Sequence, residues 1–265
     1  MVSFTALFAS GLLATSAFAA PMQVQKRSSG KRGAAYNDPN SVSPLANTGA
    51  LSWAYNWDMH LSDSLPSGVE FIPMLWGSKD FGGWVTAIET ALSSGSNYIM
   101  GFNEPDNPGQ ANMSPSDAAS FYNQYITPYS GQAKLISPAV TSSSNDGQGL
   151  SWFTEFMGGC SSCGITGLAV HWYGDTADDF QSFVQKAMNT AQQYGLSEIW
   201  ITEFALNADV NGVGDPATTA EFLNSVLPWL DSQPMVSRYS YFMCAENYLL
   251  SGSALNAAGQ AYTSS

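Results

Sequence analysis

Two glutamates stand out for what precedes them. Glu104 closes the apolar run Ile99–Phe102 and Asn103, and Pro105 follows it; Glu203 closes Ile199-Trp200-Ile201 and Thr202. A carboxylate that ends a hydrophobic run is costly unless it is paired or put to use. The chain carries 8 Lys and Arg against 21 Asp and Glu, so cationic partners are scarce. Two such carboxyls converging on one bond make the pair that glycoside hydrolysis requires. One protonates the leaving oxygen, and the other attacks the anomeric carbon or activates water. Glu104 and Glu203 are expected to share these two roles. The competing reading of each is a strand-end charge paired with a loop cation.

The residues that close the neighbouring runs fit the same chemistry. They are Asn56 and Trp57, Trp76, Asn103, His171 with Trp172 or Tyr173, and Phe242. Aromatic faces cover sugar rings, and amides and imidazole bond sugar hydroxyls. Asn103 is placed to meet the sugar 2-hydroxyl. For His171 and Trp76 a satisfied core position competes with the binding role. No Lys, Arg or Cys belongs to this set, so the ligand it suits is a neutral polyol.

Other chemistries find less support. No G-x-S-x-G elbow and no glycine-rich phosphate loop occurs. The only histidines are His60 and His171, without metal-ligand spacing, so neither a metal nor a cofactor is expected. A net charge of −13 repels phosphate backbones and anionic lipid. Nucleic acid and, after processing, membrane are therefore not expected partners, and a monomer is expected.

Something must bring these run-ends together. Eight short apolar or β-branched runs recur: 32–37, 51–57, 70–77, 98–104, 135–140, 167–173, 198–204 and 236–243. Helical rhythm separates the later ones. Residues 80–92 repeat apolar side chains every three to four positions, as do 178–194 before Gly195. Ser114-Pro115 and Asp215-Pro216 read as N-caps with proline in the first turn. Pro44 and Pro66 fall in the first two connections, whose helices should be stunted. Strand–helix alternation in a chain of this length predicts a single α/β (β/α)₈ TIM barrel with short first helices. Its active site would lie where the strands end.

The N-terminus reads differently. Residues 4–20 are apolar, small and uncharged, with an Ala-x-Ala ending, as in a secretory signal peptide over 1–20. Residues 21–30, with the Lys26-Arg27 pair, read as a propeptide or disordered leader, and 31–265 as the catalytic domain. Secretion, to the medium or the cell wall, makes a Cys160–Cys163 disulfide the expected state of the Cys-x-x-Cys loop, with Cys244 left reduced. Asn112-Met113-Ser114 is formally a glycosylation sequon, set back by the proline that follows.

Several motifs carry a resemblance. Lys31-Arg32-Gly33, Ser52 to Trp57, Pro73 to Gly77, Gly101 to Asp106, Ser137 to Val140, Ala169 to Gly174 and Trp200 to Ala205 resemble glycoside hydrolase family 128. The similarity runs from about Lys31 to Tyr262. It implies a (β/α)₈ barrel, a retaining mechanism and β-1,3-glucan as substrate, with the acid/base carried onto Glu104 and the nucleophile onto Glu203. Endo attack on β-1,3-glucan is the expected activity. Two alternatives stay open: a weakly active or inactive glucan-binding wall protein on the same fold, or a glycanase for a β-1,4- or β-1,6-linked polymer.

Overall fold

The computed structural model describes Met1 and residues 30–264. The signal-peptide and leader readings fall outside the described residues. In chain order the elements are β1 (Gly33–Ala35), α1 (Val42–Ala46), β2 (Trp53–Tyr55), β3 (Glu70–Phe71), α2 (Trp84–Ser93), β4 (Tyr98–Met100) and α3 (Pro115–Tyr125). There follow β5 (Lys134–Val140), α4 (Gly149–Gly159), β6 (Ile165–Gly174), α5 (Ala177–Gln193), β7 (Glu198–Leu206) and α6 (Asn207–Val210). The chain ends with α7 (Pro216–Ser232), β8 (Val236–Tyr241), the small hairpin β9 (Leu250–Ser251) and β10 (Ala254–Leu255), and α8 (Ala257–Thr263).

The fold is α/β with parallel strands. The hydrogen-bonded ladders form two sheets, β1-β2-β3 and β4-β5-β6-β7-β8, rather than one continuous ladder of eight. Single parallel bridges span both seams, Arg32 to Tyr239 and Met74 to Met100. The break has a local cause. The run 70–77 is expected as one strand, but Pro73, whose carbonyl accepts from the Met100 N–H, has no N–H of its own to give β4, so β3 and β4 are joined by a single bridge at Met74.

The helix signals are mostly realised. Ser114 accepts from the Asp117 N–H and Asp215 from the Thr218 N–H, each with proline in the first turn. The first two connections are short in helix, as expected: α1 has 5 residues, and no helix separates β2 from β3 among the described residues. Helix α4 has no counterpart in the sequence reading, because glycines at both ends hide its start and stop.

Two apolar layers result. One lies between strands and helices. The other fills the concave side of the sheets, with Trp53, Tyr55, Met74, Met100 and Trp200 in it. Gly33 is required there, since a Cβ would fall 2.2 Å from the Trp53 ring. At the amino ends of the strands Arg238 lies 4.4 Å from the Tyr98 ring centre and 4.8 Å from that of Trp200, with Glu70 at 2.6 Å.

Cys160 and Cys163 are disulfide-bonded and Cys244 is buried and free. Intact-mass analysis after alkylation under native conditions should find no labelled thiol. Unfolding without reductant should then expose one, and two labels at 160 and 163 would contradict the pairing.

Candidate active site

All the run-end residues lie on the carboxyl side of the parallel strands, but they do not all face the same space. Glu203 sits within β7, opposite His171 of β6 in the parallel register. Glu104 follows β4 with φ of 42°, a left-handed conformation rarely adopted by a side-chain-bearing residue. Its N–H is held by the Ala139 carbonyl at 2.8 Å. Such a backbone persists only where its surroundings enforce it, which is common at functional sites.

The two carboxylates meet over His171. Its Nδ1 is 2.8 Å from Glu104 Oε1 and 3.3 Å from Glu203 Oε2. One ligand atom from each of the three lies within 4.8 Å of the others. Donors surround both acids. Trp57 Nε1 donates to Glu203 Oε1 at 2.7 Å, and the Tyr173 hydroxyl donates to Glu203 Oε2. Asn107 Nδ2 donates to Glu104 Oε2 at 2.8 Å. Such a trio could ligate a metal by spacing alone. The N–H and O–H groups aimed at its carboxylate oxygens instead suit a set that holds charge and passes protons.

The electrostatics follow from burial and this network. Burial pushes the Glu104 carboxyl up, but the His171 hydrogen bond and charge, with the Asn107 amide, bring it below its ordinary value. Burial pulls the His171 imidazole down, and the Glu203 and Glu104 carboxylates outweigh it, leaving it raised. Burial and then the Glu203 charge hold the Tyr173 and Tyr55 phenols far above their ordinary range, so both stay protonated donors.

A cavity of about 550 Å³ opens over the pair. Trp57, Trp76, Asn103, Tyr173 and Phe242 line it with the two glutamates, as the sequence suggested. Phe242 meets Trp57 and Tyr173 edge-on, each at 5.7 Å between ring centres. His171, expected on the sugar, is instead fully buried beneath the carboxylates and is not part of the cavity lining. Two expected residues belong elsewhere. Trp172 is 4% exposed and stacks on Phe222 at 5.8 Å, because its side chain leaves the opposite face of β6 from Tyr173. Asn56 turns to the rim, where its amide donates to the His60 carbonyl and accepts from Asp58.

Sequence reasoning missed Tyr55, Asn107, Gln110, Thr141, Ser142 and Met243. Tyr55 donates to the Thr202 carbonyl at 3.0 Å and reaches Glu203 at 3.5 Å. Gln110 accepts from the Asn103 amide at 3.2 Å. Asp106 is also buried. It takes the Thr141 N–H and hydroxyl and the Gly149 N–H, tying the loop after β4 to the one after β5. Asn37, which closes the run 32–37, also lies on the cavity wall.

Known proteins show the same architecture. Residues 33–262 match the family described as "Glycosyl hydrolase catalytic core". Alkali-sensitive linkage protein 1 of Schizosaccharomyces pombe is 34% identical over 254 residues, covering 89% of this chain. The chain spans about half the length of that relative, 45%. A curdlan-specific exo-β-1,3-glucanase of family 128, subgroup III, from Blastomyces gilchristii, solved with glucose, is 40% identical. The match covers 90% of this chain and 100% of that one, with a TM-score of 0.84. A subgroup II endo-β-1,3-glucanase from Sorangium cellulosum is 28% identical, over 88% of this chain and 98% of that one, with a TM-score of 0.72. With its two facing carboxylates, aromatic cleft and end-to-end match, the chain belongs to glycoside hydrolase family 128.

Proposed function

We propose that this chain hydrolyses β-1,3-glucan with retention of configuration, Glu104 acting as general acid/base and Glu203 as nucleophile. The observation that carries this is that two buried carboxylates bring one oxygen each to within 4.8 Å of the other under an aromatic cleft. Retaining glycosidases hold their carboxyl groups about 5–5.5 Å apart, whereas inverting ones leave roughly 6.5–9.5 Å for a water. The spacing therefore supports double displacement. In the first half Glu203 bonds to the anomeric carbon as the glycosidic bond breaks, and the leaving oxygen takes the Glu104 proton. In the second half Glu104 takes a proton from water, which attacks the same carbon and frees Glu203. The fold reading is one closed (β/α)₈ barrel, supported by the bridges at both seams.

The 1,3 linkage rests on the activities of the family relatives; the cleft by itself suits any neutral glycan. Reducing-end release from laminarin, curdlan, xylan, mannan and cellulose tests it. Equal rates on a β-1,4-glucan would break the substrate reading, and no release from any β-1,3-glucan would leave the wall-binding alternative. Endo attack is the reading carried from the sequence. A second reading, attack from a chain end, is favoured by the exo activity of the 40%-identical Blastomyces protein. Rapid viscosity loss with mixed oligosaccharides marks the first, and one small product from the start marks the second. Secretion is part of the proposal, and N-terminal sequencing of secreted material should begin after Ala20 or after Arg27.

Trp76 is the cleft aromatic whose substitution isolates stacking from chemistry. It lines the cavity, and the Lys79 ammonium lies 3.8 Å from its ring centre. Trp76→Ala is expected to lower kcat/KM on laminari-oligosaccharides by about tenfold or more, roughly 1.4 kcal/mol of lost transition-state binding. Unchanged kinetics would return Trp76 to a packing role.

A further inference from the structure

We propose that Asn107 is a positioning residue: it holds Glu104 as a carboxylate while the cleft is empty, and gives up its place to the glycosidic oxygen when glucan enters. This rests on the acid/base reading of Glu104.

Both oxygens of Glu104 are engaged. His171 Nδ1 lies 2.8 Å from Oε1, and Asn107 Nδ2 lies 2.8 Å from Oε2. A general acid must present an O–H to the leaving oxygen, so one contact has to open. His171 cannot readily move. It is fully buried, is paired with Glu203 in the sheet and reaches Glu203 Oε2 at 3.3 Å. Asn107 is half-buried and lines the cavity beside Glu104. Oε2 is therefore the working oxygen and Asn107 the contact that yields.

The orientation of the amide is fixed by its turn. The Gly109 N–H donates to Asn107 Oδ1 at 2.9 Å, which leaves Nδ2 to face Glu104. The Asn107 N–H bonds the Glu104 carbonyl at 3.0 Å and the Gln110 N–H bonds the Asn107 carbonyl at 3.0 Å. An amide N–H aimed at a carboxyl oxygen favours the ionised form. The other titratable groups around Glu104 are His171 and Tyr173 of β6, Glu203 of β7, Tyr55 of β2 and Asp106 two residues along. None of them replaces a donor at Oε2.

The proton count is simple. With Asn107 displaced, Oε2 takes up a proton from solvent in the open cleft. The glycosidic oxygen takes it as the carbon–oxygen bond breaks and the bond to Glu203 forms. Glu104 then takes a proton from the attacking water, gives it up to solvent as the product leaves, and Asn107 returns to the carboxylate.

The test is a ¹³C-carboxyl NMR titration of Glu104, identified by its loss in Glu104→Gln, in the empty wild-type protein, Asn107→Ala and Asn107→Asp. The Asp variant keeps the size and the Gly109 contact, so it guards against a folding loss. The Glu104 midpoint should rise by about one pH unit in Asn107→Ala, the size of a charge-assisted hydrogen bond, and further in Asn107→Asp. The alkaline limb of kcat/KM on laminari-oligosaccharides should move up with it. An unchanged midpoint in both variants overturns the proposal, even if the wild-type protein cleaves glucan. A raised midpoint in a protein that cleaves no glucan at all overturns the glucanase reading and the handover together.

Discussion

Glu203→Gln should lower kcat on soluble β-1,3-glucan by at least about 10³-fold while leaving oligosaccharide affinity within a few-fold. The reason lies in what surrounds the carboxylate. Trp57 and Tyr173 each give a hydrogen bond to one of its oxygens, so the charge is held and aimed. An amide keeps the shape but cannot form the glycosyl ester. It also offers one acceptor where two donors converge, so one of those contacts is lost. Calorimetric binding of a laminari-oligosaccharide to the variant separates the two effects. Undiminished turnover would mean that another group attacks the anomeric carbon.

The second large effect concerns Glu104. Glu104→Ala should slow glucan cleavage by about 10²–10⁴-fold, the usual weight of a general acid. A dinitrophenyl laminaribioside needs no protonation of its leaving group, so its first step should be largely spared. The glycosyl-enzyme then waits for a base. Azide, small enough to enter the space left by the carboxyl, should restore turnover and give the β-glycosyl azide. An α-azide would indicate direct displacement instead. Equal losses on glucan and aryl glycoside would remove Glu104 from the proton-transfer role.

Much of this site could be read from residue order because both acids end runs that must be buried. Hydrophobic neighbours on each side of Glu203 fix it in a strand, and the scarcity of bases leaves it without an ordinary partner. The side each strand residue faces was harder to read. β6 is buried on both faces through Val170, His171 and Trp172, so hydrophobic alternation gives no parity. That is why Trp172 and Tyr173 could not be told apart until packing placed one against Phe222 and the other against Glu203. The register also slips between Val170 and His171, which no local pattern announces. Asn107 was hidden for another reason. Its contact with Glu104 is made by a turn, and nothing in Asn107-Pro108-Gly109 reveals which way the amide points. The expected run 70–77 shows the reverse case, since Pro73 is in plain view and its missing donor leaves the seam between β3 and β4 to a single bridge.

The packing beneath the carboxylates has a consequence for traffic. Arg238, with Glu70 and the rings of Tyr98 and Trp200, closes the amino-terminal side, and Trp53, Met74 and Met100 fill the space above. Among the described residues the interior is thus filled along its axis, so a glycan reaches the carboxylates, and leaves them, on the face where the strands end. Water too must come from that face, so a fragment still held over the carboxylates stands in its way.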